Sequence, residues 1–525
     1  MNDPLYERLD KKWRSTCKII FDTELGELGD YNDWLCENLE PSQTAKSVLS
    51  GKDVRLIGRY CKDASFLSFD EIDYAKKFQP LDLNEMKDIE NIIQAVSDRA
   101  VYTGNIILGN SSHVERSSGV ENSHFIYDSH TLHNSEDIAH TTLAREDKAI
   151  FGSVIIGESS FCIRLFNALR AMRCLEGWRI IESSDVHYSH ALLGCSECMF
   201  CFNLKGKRHC IGNAELPKDK YLELKKKLLA ELAEELRTKK RLRSLPELLS
   251  MFAPKTRYPK VMDTAQKNDI EKIRMDFRKT SELVLGKKME MEPLEKYLTK
   301  NIRAITTSPS TISKLDVYGD ELGIVSRMVE SKRQVKLAEL EVISGERAWP
   351  KEMKYKQLGI SDICDFIEPV AYLSPEEEGQ NKNTIECSSV WGATDCFRCS
   401  RVYEGKNCAY SFWPRNSEYV FGGDSTRNSS FCINCYNSFK IARCFEVDTS
   451  QNCTGCYFCH NCENVHDSMF CFNVKNLHYA IGNVEVGKEK FLEIKNLIVK
   501  QINDKLEGNN DFKWSIYNIG CKDRD

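Results

Sequence analysis

Two long stretches of this chain repeat a single polarity pattern every three residues. Stepping by three from Val114 to Cys201 gives thirty positions, of which only Asp147 is charged, and stepping from Cys387 to Val474 gives thirty more with no charge. Charged, amide and aromatic side chains fall on the other two phases. An α-helix turns 100° per residue, so an i, i+3 stripe drifts round its surface within a few turns. A flat strand alternates with period two, and 3₁₀-helices seldom outlast a turn or so. Polyproline II has the period, but the segment lacks the proline, and the glycine of a close-packed bundle. The backbone left is a solenoid with small residues stacked along its axis; the other reading is an irregular cysteine-rich domain. Cys435, Cys444, Cys453, Cys462 and Cys471 are each nine apart. That spacing predicts a nine-residue half-turn or an eighteen-residue coil.

The chain also matches itself. Ser159-Ser160-Phe161-Cys162 corresponds to Ser429-Ser430-Phe431-Cys432, and the offset of 270 then holds without a gap for more than sixty residues. Cys201-Phe202-Asn203 meets Cys471-Phe472-Asn473, and Ile211-Gly212-Asn213 meets Ile481-Gly482-Asn483. A weaker match joins Pro4-Leu5 to Pro293-Leu294 and Ser50-Gly51-Lys52 to Ser344-Gly345-Glu346. The expected fold class is α+β: two tandem homologous halves, each with a mixed N-terminal part, a Cys-rich β-solenoid-like region and a following amphipathic helix. The boundaries read 1–110, 111–215, 216–289 (helix and linker, with Pro254 and Pro259), 290–385, 386–485 and 486–525. Asp82 to Val96 has a helical apolar face at Met86, Ile89, Ile92, Ile93 and Val96. Leu224, Leu228, Leu232 and Leu236 stripe one following helix, and Ile494, Ile498 and Ile502 the other. An open stack needs its terminal face covered, which is the role expected of these helices.

Cys453-Thr-Gly-Cys456-Tyr-Phe-Cys459-His-Asn-Cys462, Met469-Phe470-Cys471-Phe472-Asn473 and Tyr479-Ala480-Ile481-Gly482-Asn483 resemble a family of cysteine-rich repeat proteins. That family occurs in small-genome bacteria, archaea and some viruses. The resemblance covers the end of each repetitive region and its helix, and it implies a solenoid-like fold with no catalytic residue. Some members carry a zinc-ribbon-like start. Here Cys17, Cys36 and Cys61 have no partnering CxxC, so that module is missing or degraded.

Composition narrows the setting. The 525 residues carry a formal net charge of -5, which argues against nucleic-acid binding by bulk charge. No basic-then-apolar start marks a signal peptide, and no apolar run approaches the roughly 18–20 residues that span a bilayer. A cytoplasmic location, or an assembly formed in the cytoplasm (a viral one included), is expected. There, 23 cysteines read as thiols or metal ligands before disulfides.

Cys453, Cys456, Cys459 and Cys462, with Cys195, Cys198 and Cys201 in the first half, have the spacing of a structural zinc site. At the 270 offset, however, the first four face Ser183, Val186, Ser189 and Leu192, an exchange that suits a small-residue core. Core thiols and structural zinc both stay open. Arg237 to Arg243 is basic, but Glu231, Glu234 and Glu235 break the run. His124, His130, His133, His140, His187 and His190 lie out of phase, where an exposed polar surface is expected. No nucleotide-binding, hydrolase or zinc-protease motif occurs, and no catalytic residue or bound cofactor is singled out. The reading is a non-enzymatic structural or interaction protein, an internal pseudo-dimer that binds a protein partner or itself. The rivals are a zinc-binding regulatory module that contacts nucleic acid, and an enzyme using the groove between the halves.

Overall fold

The computed structural model describes residues 3–37, 39, 42–58, 60–82, 87–251, 269–302, 333, 343, 347–350, 358–373, 380–387, 390–508 and 512–521. It is a mixed α+β structure in which short parallel strands form two stacks. The first runs from Ile107–Leu108 to Arg208–Ile211 and the second from Lys382–Ile385 to Phe472–Lys475. From Ser112 on, strand residues pair with those twelve positions on: His124 with Glu136, Glu136 with Lys148, Lys406 with Glu418.

This rung length corrects the nine- or eighteen-residue coil expected from the cysteines. Vertical neighbours are twelve apart, as Cys432 and Cys444 are. A step of nine is one rung less one triplet, so the Cys444 Sγ faces the Cys453 carbonyl, at 3.8 Å, and is not stacked on its thiol. The period of three comes from a repeating conformation. In each triplet one residue points inward, the next is extended, and the third sits left-handed, as at Asn434 (φ 49°), Asn437 (φ 45°) and Lys440 (φ 52°). Side chains other than Gly and Asn also occupy that position, among them Thr131, Ile155 and Thr449. The cost per such residue is about 1–2 kcal/mol, which the continuous hydrogen-bond ladder between rungs offsets.

Helix Asp3–Phe21 covers one side of the first stack, with Trp13 edge-on to Phe151 and Arg8 on Asp137. Helix Ile270–Leu285 covers the second in the same way: Phe277 packs on Phe421 and Lys272 pairs with Asp395. Thr16 and Thr280 are both fully buried, each bonding the carbonyl four residues back. Pro4 lies in the long first helix and Pro293 in a short turn, so the weaker sequence match does not join equivalent positions. Ser344-Gly345-Glu346, Met86, Pro254 and Pro259 lie outside the described residues.

Both stacks end alike. The Asn213 side chain bonds the Phe202 N–H (2.8 Å) and carbonyl (2.8 Å), imitating one more strand, and Asn483 does the same to Phe472. The long helices Lys218–Lys239 and Lys488–Glu507 follow, with Leu224, Leu228, Leu232 and Leu236, and Ile494, Ile498 and Ile502, buried as expected. Each end is then closed by the other half. Helix Ile89–Val96 packs on the end of the second stack, and helix Ile360–Ile367 on the end of the first. A Cβ at Gly482 would come within 2.7 Å of Val96, and one at Gly212 within 2.6 Å of Phe366, so both turns need glycine. The Ile89 N–H donates to Gln501 (2.9 Å) and the Ile360 N–H to Glu231 (3.2 Å). Asn473 donates to the Val101 carbonyl and Asn203 to that of Tyr372. No helix among the described residues is long and apolar enough to cross a membrane.

Candidate functional site

The cysteines singled out by spacing all lie buried inside the stacks. Each thiol donates to a main-chain carbonyl: Cys453 to Gln451 (3.2 Å), Cys456 to Val465 (3.2 Å), Cys459 to Tyr457 (3.5 Å) and Cys462 to Cys471 (3.3 Å). Cys195, Cys198 and Cys201 do likewise to Leu193, Ser196 and Met199. The exchange with serine between the halves has a physical reason. Ser183 Oγ donates to the Ile181 carbonyl and accepts the Cys195 N–H one rung on. Cys195 in turn accepts the Lys207 N–H through its sulfur (3.4 Å). The corner at Ser183 and Cys195 suits a short side chain that both donates and accepts, and Ser or Cys serves. Burial raises the Cys435 and Cys462 thiols well above the ordinary range.

Among the described residues, two groups place three ligand atoms within 4.8 Å of one another, and neither contains a core thiol. One is Cys61, Asp63 and Cys521, where the two cysteines are paired as a disulfide between residues 460 apart in sequence. The other is Cys36, Asp128 and His140. Cys36 ends a short helix, Asn32–Cys36, that follows the long first helix and lies against the first stack. Asp128 and His140 occupy left-handed positions one rung apart, which projects both side chains toward Cys36. Cys36 Sγ lies 3.1 Å from His140 Nδ1, and Asp128 Oδ2 lies 3.3 Å from the same nitrogen. His140 Nε2 bonds Asn32 Oδ1 at 2.9 Å, which fixes the plane of the ring. Asp128 also pairs with Arg55. Burial opposes ionisation of Asp128, yet the His140 hydrogen bond and the Arg55 charge bring it down to about 2. Burial, and then the Asp128 and Asp33 charges, push the Cys36 thiol up to about 11. Arg55 and Arg116, both beside Asp128, also line an open cleft of about 490 Å³ with Lys52, Asp70 and Asn105.

The donor set is one thiol, one imidazole and one carboxylate, which suits a borderline divalent cation such as zinc. No sequence signal marks this site. His140 falls on a phase expected at the surface, and Cys36 and Asp128 belong to no local motif; 92 residues separate them, and only the rung register and the packed helix join them.

Other expected features are placed differently from the surface reading. His130, His140, His187 and His190 are buried, because helices and loops cover the out-of-phase faces. Burial lowers His130 to about 4 and His187 to about 3. The basic run is used internally: Arg237 pairs with Glu234, Lys239 with Glu235, Lys240 with Asp30, and Arg241 with Glu37 and Glu247.

Buried carboxylates tie the parts together. Glu176 accepts from Arg164 and from the Leu245 N–H, and Glu446, 270 residues on, accepts from Asn434 and from the Ile516 N–H. Asp448 accepts from Tyr60 and Tyr517 and bonds His460 Nδ1 (2.9 Å), whose Nε2 accepts the Thr103 N–H (2.9 Å). No protein-family model, curated protein or solved structure matches this chain.

Proposed function

We propose that this chain is a non-enzymatic structural or interaction scaffold made of two homologous solenoid modules. The observation that carries this reading is the reciprocal closure of the stacks. Each half lends the helix that covers the other's open end, and each loan is fixed by the same contacts: Ile89 on Gln501 and Ile360 on Glu231, Asn473 on Val101 and Asn203 on Tyr372. The buried Asp448–His460 pair is used to join Tyr60 and Thr103 to the second stack, and Glu176 and Glu446 hold the Leu245 and Ile516 segments to their own stacks. Such a body is rigid and offers long regular faces to a protein partner or to further copies of itself. It would act in the cytoplasm or in an assembly formed there. Pairing of the basic run within the chain gives the nucleic-acid rival no support from that segment.

One observation favours a second reading beside the first, a structural zinc ion at Cys36, Asp128 and His140. Three donors of the right kind converge there, whereas the Cys453–Cys462 thiols are each held by a carbonyl. A zinc ion would deprotonate Cys36 and pin the helix Asn32–Cys36 to the stack.

Elemental mass spectrometry of native-purified protein, with thiol titration, separates the possibilities. The scaffold reading expects core thiols that stay protected until denaturation and no metal that depends on Cys456. With the second reading added, about one zinc per chain is expected, lost in Cys36→Ser and in His140→Ala and retained in Cys456→Ser. Zinc lost in Cys456→Ser would return the core cysteines to the role their spacing suggests and set the packed-thiol account aside.

A further inference from the structure

The two stacks present columns of charged residues to each other, and their charges do not balance. In the first stack Glu121, His133 and Arg145 lie on successive rungs of one column. In the second, Tyr403, Arg415, Arg427 and Phe439 do the same. The charges of Arg145 and Glu121 act on Arg427, and those of Arg145 and Arg427 act on Arg415, so the columns are neighbours across the junction.

On the first side the charges are partnered. His133 Nδ1 bonds Glu121 at 2.8 Å, and Arg145 pairs with Glu158 at 2.9 Å. Arg415 and Arg427 differ. Among the described residues, neither guanidinium has a salt bridge or a hydrogen-bond acceptor, and the Arg415 Nε is buried with no partner. Each is instead braced by a ring, Arg415 over Trp413 at 4.0 Å and Arg427 over Phe439 at 4.4 Å. Neighbouring rungs stand about 4.8 Å apart, so two like charges are held side by side, both partly buried. Burial, and then the charges of Arg427, Arg145 and Arg401, pull Arg415 down to about 9. Desolvated like charges are costly unless an anion completes them. Among the described residues, the carboxylate acting on Arg427 is Glu121, already engaged by His133.

We propose that Arg415 and Arg427, with Arg145 from the facing stack, bind a phosphoryl oxyanion at the junction of the two stacks. A carboxylate has two oxygens and is served by one guanidinium fork. A tetrahedral phosphoryl group has oxygens directed to several sides, which matches donors from two rungs and from an opposing column. Ring-braced guanidinia are already ordered, so little side-chain entropy is lost on binding. The phosphoryl group can be free or can belong to a nucleic-acid strand. The inference rests on this cluster and is independent of the scaffold reading.

The test is calorimetric titration of the full chain with inorganic phosphate, with pyrophosphate and with a short single-stranded oligonucleotide, each at two salt concentrations. The variants are Arg415→Gln, Arg427→Gln and, as a control far from the junction, Lys500→Gln. Saturable binding of phosphate or pyrophosphate, weakened about tenfold or more in either arginine variant and unchanged in the control, supports a free phosphoryl ligand. Binding of the oligonucleotide alone, with a salt slope reduced by about one per arginine removed, supports a strand. Thermal melting guards against misfolding. Removing repulsion should leave the ligand-free midpoint unchanged or raised in Arg415→Gln, and should abolish the rise that pyrophosphate gives the wild type. No binding by any of the three probes, or equal binding by wild type and both arginine variants, overturns the proposal.

Discussion

A serine or a cysteine at an inner corner performs the same two tasks, donating to the carbonyl two residues back and accepting the N–H one rung on. Ser135 does so through the His133 carbonyl and the Asp147 N–H. Asp147 is the one charged residue on the inner register between Val114 and Cys201. Its carboxylate accepts the Ser159 N–H and the Arg145 N–H, both at 2.8 Å, yet burial raises it to about 7. Because the folded pKa lies above the unfolded value, the protonated group contributes stability that is complete below about pH 4. That contribution is lost as pH rises through about 7. Asp147→Ser restores the column, so it should match the wild type near pH 4 and exceed it at pH 8 by about 2–4 kcal/mol, at about 1.4 kcal/mol per pKa unit. Urea denaturation at the two pH values checks this; equal differences at both would show that the carboxyl is not held neutral by burial.

Within a stack the element is the rung, and its weak point is the left-handed third residue of each triplet. Asn adopts that conformation readily, and β-branched residues such as Thr449 adopt it only at a cost. One column of the second stack reads Asn437, Thr449, Asn461, Asn473, all with φ between 45° and 56°. Asn461 bonds Asn473 one rung on, at 2.9 Å, and Thr449 interrupts the series. Thr449→Asn should therefore stabilise the protein by about 1 kcal/mol, read as a higher melting temperature. Thr449→Val, which keeps the branch and lacks the amide, should give no gain.

At the scale of the whole molecule the halves are interlocked. The helix Ile89–Val96 and the disulfide Cys61–Cys521 attach the first half's mixed part to the second half's end, and Ile360–Ile367 returns the contact. Residues 1–250 and 269–525 produced separately should each expose an uncovered stack end. They are expected to aggregate or to pair with a second copy of themselves, with co-production restoring a one-to-one complex. Size-exclusion chromatography with light scattering distinguishes these states. Two halves that are each monomeric and cooperatively folded would show that the exchanged helices are dispensable.

The three-residue register, the positions of Cys195 and Cys453 on its inner phase, and the long apolar-striped helices could be read along the chain because each follows from local polarity and backbone period. The rung length could not. Twelve and nine are both multiples of three, and only strand pairing distinguishes a vertical neighbour such as Cys432 and Cys444 from a diagonal one such as Cys444 and Cys453. The burial of His187 and His190 also lay beyond the sequence, since it depends on which face another segment covers. The same holds for Cys36 beside His140 and for Arg145 beside Arg415. Sequence alone determined a repeating backbone and its inner phase, which are properties of neighbours along the chain. Tertiary structure decided which charged and thiol groups meet, because those pairs are set by rung register and by the crossing of the two halves, and neither leaves a local signature.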